Sequence, residues 1–530
     1  MTFTDGGFFL LAIPATVLYF ICPPKCRWVV LLIASYLFFY FNSKWLVLVL
    51  FLTTLVTWLA GLGISGVNRE GKAYLADHPS LTAKEKKEHK EATKKKAKRL
   101  LVLGIVLDLS ALLFLKYFNF FAGQANSLLK FAGVTIPRLN LLVPLGISFY
   151  TLQAIAYMTD IYRGKVEADR SLPKFMLFMS YFPQIVQGPI PRYNQLAHQL
   201  YEPHSFDYTR LTFGLQLFLW GAIKKMVIAD RIAIPVNQIF DHFQGYTGLI
   251  VLLGAIGYGI QVYADFSGGM DMARGVSQVL GIELELNFKQ PYFARSIEEF
   301  WRRWHITLGG FMRDYVFYPL SLSKTFGNLS KKSRKLLGSF IGKRLPSFLA
   351  MFIVYFLVGI WHGPSIKYIA YGVWNGVFIV AGILLTEVYA QCRSKLRIRE
   401  DSHSWMLFQM LRTMLLCSVG RLFSRGGSTK TALRMMRNMM WKWYDTSFLV
   451  DGSLKELGLN TANWLLLVVF ILIMLVVDML HERDFHIRER IASHNLLFRW
   501  TIYFGAIFSL IIFGMYGPGF NSASFIYQQF

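Results

Sequence analysis

Two histidines in this chain each follow a tryptophan directly, as Trp304-His305 and Trp361-His362. The first pair sits in EEFWRRWHITLGGFMRDYVFYPL (298–320), where Glu298, Glu299, Arg302, Arg303, Arg313 and Asp314 are packed among Trp301, Phe311, Tyr315, Phe317 and Tyr318. Long apolar segments flank this stretch. Ionisable groups at such density in a membrane-type sequence are costly and are functional candidates by default. The bland alternative is an interfacial amphipathic helix with an aromatic belt and snorkelling arginines. Either histidine alone also reads as a packing or capping residue; the repeated Trp-His favours chemistry. A neutral imidazole, with an ordinary pKa near 6.5 that burial lowers, can take a proton from an alcohol as it attacks a thioester. Arg303, Arg313, Tyr315 and backbone N–H groups are the candidate oxyanion donors. No three- or four-ligand cluster is visible, so no metal is expected. The four cysteines show no zinc or redox spacing.

The elements that must position these residues are membrane helices. Hydrophobic residues make up 54% of the 530 and charged residues only 16%. Apolar runs of about 20 residues recur, the length that crosses a bilayer core, and the alternation of a membrane barrel is missing. The expectation is one all-α polytopic domain over 1–530, with about 11 or more spans and a site region at 257–376. Net charge is +25, with the excess in loops between apolar runs. That distribution argues against nucleic acid and for anionic membrane lipid. The loop 67–99 ends in KEKKEHKEATKKKAKR (84–99), whose Glu/Lys spacing supports a surface helix. The loop 324–344 holds seven Lys/Arg and no acid. Both are expected on the cytoplasmic side, with the N-terminus outside. That parity places His305 toward the cytoplasm and His362 toward the outside, one crossing apart. The N-terminus lacks a basic n-region and carries Asp5, so its first apolar run is expected to be a retained helix.

Three further stretches bear on the interior. The crossing at 143–165 carries Tyr150, Gln153, Tyr157 and Asp160, so one face should meet protein or a cavity. SYFPQIVQGPIPRYNQL (180–196) is broken by three prolines and reads as a re-entrant or interrupted segment. GYGIQVYADFSGGMDMARG (257–275) holds Asp265, Asp271 and Arg274, whose acids are expected to partner arginines. Residues 428–444 form an amphipathic Met/Trp/Arg segment suited to the outer membrane surface. No internal repeat is found, which weakens a transporter or flippase reading.

PLGISFYTLQAIAYMTDIYRG (144–164), PQIVQGPIPR (183–192), YADFSGGMDMARG (263–275), NFKQPYFARSIEEFWRRWHITLGGFMRDYVFYPL (287–320), GIWHGPSIKYIAYGVWNG (359–376) and FIYQQF (525–530) together resemble the membrane-bound O-acyltransferase (MBOAT) family. The likeness covers essentially the whole chain. It lies on the bacterial polysaccharide-modifying side, typified by alginate O-acetyltransferases and more distantly by D-alanyl transferases. The resemblance implies a helical bundle with re-entrant segments around a transmembrane tunnel. It implies His362 as the catalytic histidine, with His305 orienting the donor or relaying the acyl group. Trp301, Trp304 and Trp361 would shape the tunnel, and Arg313 and Asp314 would hold its fold by ion pairing. The implied donor is an acyl thioester, either acetyl-CoA or the phosphopantetheine thioester of an acyl carrier protein. The implied acceptor is an extracytoplasmic cell-envelope polysaccharide, reached with a partner acetyltransferase of the SGNH type, in a bacterial inner membrane. D-alanyl transfer to teichoic acid is the alternative. FYPLSLSKTFGN (317–328) and SVGRLFSRGGS (418–428) depart from the usual pattern, so the resemblance bears on reaction class more than on acceptor.

Overall fold

The computed structural model describes residues 1–441, 443–444, 446–449 and 451–517; the FIYQQF motif at 525–530 lies outside them. The described residues form helices and no strand; one isolated antiparallel bridge joins Phe288 and Trp304. Among the described residues, nine helical stretches are long and apolar enough to cross a membrane. The first of them, Pro24–Asp77, is divided at Lys44, whose φ of +48° ends the Arg27–Ser43 helix before Val47–Asp77 begins. The shorter apolar helix Gly6–Ile21 stands beside these nine, which are fewer than the expected eleven. The chain is a multi-pass membrane protein.

The residues gather into two compact units. One comprises Met1–Leu215 and Ala273–Glu285. Its centre is a hairpin of Val47–Asp77 and Ala83–Leu112 against Ile147–Tyr162. The basic stretch expected as a loop at 67–99 is helical apart from 78–82. Thr82 and Glu85 cap the second helix reciprocally, each side chain bonding the other's backbone N–H. The Lys-rich run therefore extends a membrane helix. Ile147–Tyr162 is buried on nearly every side, Tyr150, Gln153, Tyr157 and Asp160 included, which bears out its polar face as protein-facing. The proline-broken segment runs as short helices and extended chain over 172–201, with 181–191 wholly buried.

The other unit comprises Gln216–Met272 and Leu286–Phe530. Asp265 and Asp271, expected to partner arginines, meet lysines of the π-helical turn Lys224–Ala229. Lys225 Nζ lies 2.7 Å from Asp265 and 2.8 Å from Asp230, and Lys224 Nζ lies 2.7 Å from Asp271. Lys225, Asp230 and Asp265 are all buried. The helix Lys324–His362 bends at Gly338, where φ is +73° and ψ 177°. Only glycine takes this conformation readily. Beyond the bend, Gly342 comes back against Ser333, whose hydroxyl donates to the Gly342 carbonyl at 2.6 Å. The basic stretch 324–344 is thus a bent helical connection. The returning limb packs on Ile366–Leu384, where Gly359 and Gly372 leave no room for a side chain between the backbones.

Removing one partner of a buried ion pair costs about 3–5 kcal/mol, because the remaining charge loses its compensation. Lys225→Ala removes the cation that Asp230 and Asp265 share. It should lower the thermal unfolding midpoint in detergent markedly; an unchanged midpoint would mean that the pair carries no stability.

Candidate active site

The acidic and basic residues of 298–303 are ordered for a helix. Ser296 caps Ile297–Arg303 by accepting from the Glu299 N–H at 3.1 Å. Glu298 and Glu299 lie in the first turn, with Arg302 and Arg303 in the last. That order suits the helix dipole. The helix stops at Trp304, and His305 adopts left-handed backbone angles, φ +48° and ψ +53°. The 298–320 stretch is therefore a broken element and no continuous amphipathic helix. A new short helix, Ile306–Phe311, starts after the break. A side chain held in this region costs on the order of 1–3 kcal/mol unless its surroundings dictate it. Here they do. Residues 287–289 run antiparallel to 303–306: the Lys289 N–H donates to the Arg303 carbonyl at 2.9 Å, and the Ile306 N–H to the Asn287 carbonyl at 3.0 Å.

Around this turn sits a cage of rings. His305, 1% exposed, meets Phe266 edge-on at 4.9 Å between centroids and Trp361 at 5.7 Å. Trp361 meets His362 at 5.2 Å, and His362, 6% exposed, lies against Tyr371 at 5.8 Å and Tyr368 at 6.4 Å. Gly363 ends the helix at φ +158°, and a side chain there would strike the Tyr368 ring. Trp301 packs on Tyr355 and Tyr371, with its Nε1 donating to Asn375 at 3.2 Å. Trp304 lies between Phe288 and Phe300. Contacts of 5–6 Å through one shared tryptophan cannot span a hydrocarbon core about 30 Å thick. The expectation that His305 and His362 stand toward opposite faces is corrected: the bend at Gly338 brings the second histidine back to the first. Burial, reinforced by the nearby His362, holds the His305 pKa well below the usual histidine value.

The remaining candidates separate by role. The Arg303 guanidinium binds both oxygens of Glu482, at 2.6 and 2.9 Å, and Glu299 at 2.8 Å. Held by two carboxylates, it is a brace and a poor oxyanion donor. Arg313 pairs at 2.9 Å with the adjacent Asp314 and is largely exposed. The pair exists as expected, and it joins neighbours in sequence. Tyr315 packs at a tilt against Phe311, 4.9 Å between ring centroids. Among the described residues, no three His, Cys, Asp or Glu side chains gather as metal ligands.

Sequence reasoning missed four neighbours. Arg421, 3% exposed, lays its guanidinium 4.8 Å from the Trp304 ring and 5.4 Å from Phe300. An arginine within an otherwise apolar span was the signal for it. Glu482, Asn375 and Asn287 carry no such mark; each matters only through its contact.

The membrane-bound O-acyltransferase family model matches residues 163–424. The chain is 30% identical to a probable alginate O-acetylase of Pseudomonas syringae pv. tomato, over 92% of this chain and 83% of that protein. It is 32% identical to a probable alginate O-acetylase of Pseudomonas putida, over 92% and 89%. It is 30% identical to a peptidoglycan O-acetyltransferase of Helicobacter pylori, over 64% of each.

The two arginines flanking the break make a contrast. Arg303→Ala frees two half-buried carboxylates, and charged hydrogen bonds of this kind contribute about 1.5–3 kcal/mol each. Arg313→Ala removes an exposed pair whose contribution is about 0–1 kcal/mol. Thermal unfolding in detergent should show a clear loss for the first and little change for the second; equal losses would contradict the assignment of Arg303 as the brace.

Proposed function

The chain belongs to the membrane-bound O-acyltransferase family, and we propose that it moves acetyl groups from a cytoplasmic thioester to hydroxyls of an extracytoplasmic cell-envelope polysaccharide. The observation that carries this reading is the meeting of His305 and His362 around Trp361 in one buried cage of rings. The relatives' activities, O-acetylation of alginate and of peptidoglycan by name, support a sugar-polymer acceptor.

In this reading the acceptor oxygen attacks the thioester carbonyl. The C–O bond forms and the C–S bond breaks. His362 takes the hydroxyl proton, and that proton leaves with the thiol. His305 lies on the same cage and positions the acyl group for this attack or carries it between donor and acceptor. Both roles need a neutral ring, which burial favours for His305. Excluding water protects the acyl group from hydrolysis. Trp301, Trp304 and Trp361 supply the walls. The donor is acetyl-CoA or an acyl carrier protein's thioester, drawn to the cytoplasmic face by the basic stretches 84–99 and 324–344. The N-terminus is extracytoplasmic, the membrane is a bacterial inner membrane, and an SGNH-type acetyltransferase completes delivery to the polymer.

Mass spectrometry of envelope glycans should show acetyl groups lost from cells lacking the gene, restored by the wild-type chain and not by His362→Ala. Unchanged acylation in the knockout would end the proposal, and loss of D-alanine in place of acetate would transfer it to teichoic acid modification. The pH dependence follows from His305. A base whose pKa is lowered stays neutral through pH 7 and protonates only as pH falls well below about 6.5. Initial rates in proteoliposomes should therefore hold flat down through pH 6.5 and fall only at more acid pH. The same group favours folding above the ordinary histidine pKa, and that contribution is lost as pH falls below it. An acid limb centred at or above pH 6.5 would contradict the pair of neutral histidines that this reading requires.

A further inference from the structure

Asn287 is buried, 1% exposed, and is 18 residues from His305 in the chain. Its side-chain oxygen is the meeting point of three groups from the segment after the break. The Thr307 backbone N–H reaches it at 3.0 Å, the Thr307 hydroxyl at 3.0 Å and His305 Nδ1 at 3.2 Å. The amide nitrogen faces the Met270 sulfur at 3.5 Å. A backbone N–H can only donate, so the group it meets must be the amide oxygen; that fixes which way round the Asn287 side chain sits. An amide oxygen can only accept. His305 Nδ1 must then carry a hydrogen. In a neutral imidazole this leaves the lone pair on Nε2.

We propose that Asn287 is a positioning residue that fixes His305 as the Nδ1–H tautomer, so that Nε2 is the atom presented to the acyl chemistry. The same asparagine holds the turn itself, since its backbone carbonyl accepts from the Ile306 N–H at 3.0 Å. One residue thus sets both the left-handed backbone of His305 and the identity of its basic nitrogen. The inference rests on the reading of His305 as a reacting group, but the tautomer can be observed apart from activity. His362 is the neighbouring titratable side chain that acts on His305 electrostatically.

The first test is nitrogen NMR of the full-length protein, labelled with 15N-histidine, in nanodiscs. The His305 signal is assigned by its absence in His305→Ala. At neutral pH, Nδ1 should resonate as a protonated pyrrole-type nitrogen and Nε2 as an unprotonated pyridine-type one. The reverse pattern would overturn the proposal whatever the activity shows. The second test is kinetic. Asn287→Ala should lower kcat about 10–100-fold, the range that follows loss of the partner that orients a metal-bound histidine. Asn287→Asp keeps an acceptor facing Nδ1, so it should recover most of that loss. Its carboxylate should also shift the acid limb of the pH–rate profile upward by about 1–3 units. Equal loss in both variants, or an unmoved acid limb in Asn287→Asp, would leave Asn287 with a merely structural role and overturn the proposal. Full activity in His305→Ala with the expected NMR pattern would refute the role of His305 while leaving the tautomer assignment intact.

Discussion

Where a helix breaks inside a dry interior, its freed N–H groups need acceptors from the protein itself. Asn287 supplies them. Its carbonyl takes the Ile306 N–H and its side chain takes the Thr307 N–H. With the Phe288–Trp304 bridge beside it, this short antiparallel pairing lets the chain turn through His305. The aromatic cage depends on that turn. Trp304 and His305 are adjacent yet serve different surroundings: Trp304 packs between Phe288 and Phe300, and His305 faces Phe266 and Trp361. A continuous helix through 304–305 could not divide them in this way.

Much of the charge in the site region is spent on holding this geometry. Glu482 closes the Thr461–Glu482 helix and grips Arg303 two residues before His305. One turn earlier, Asp478 accepts from the Tyr263 hydroxyl at 2.8 Å, and Tyr263 packs on Phe288 and Trp304. The Gly248–Val279 helix, which carries Tyr263 and Phe266, is held in turn by Lys224 and Lys225 through Asp271 and Asp265. The cost of placing these charges in a membrane protein is offset because each meets a counter-charge or a hydroxyl.

The fold class was legible because apolar runs of spanning length leave few alternatives. The Glu/Lys spacing of 84–99 correctly announced a helix, though not that it would continue into the membrane helix after it. Repetition of Trp-His marked the two residues that do meet. Their closeness was hidden, since it depends on the Gly338 bend and on the returning limb packing against Ile366–Leu384. Charge counts along a chain assign segments to sides of a membrane; they say nothing of a helix that leaves and comes back. Asn287 was beyond reach for a simpler reason. An asparagine in LNFKQ has no distinguishing spacing, and its significance lies in three hydrogen bonds to residues about 20 positions away.

The central claim is that His305 and His362 act as one unit on one acyl group. The most direct measurement is a double-mutant cycle of acetyl transfer in proteoliposomes, comparing His305→Ala, His362→Ala and the double variant. Residues that act together lose their effect together, so the double variant should be no slower than the worse single variant. Losses that multiply would show two independent contributions and contradict a single site.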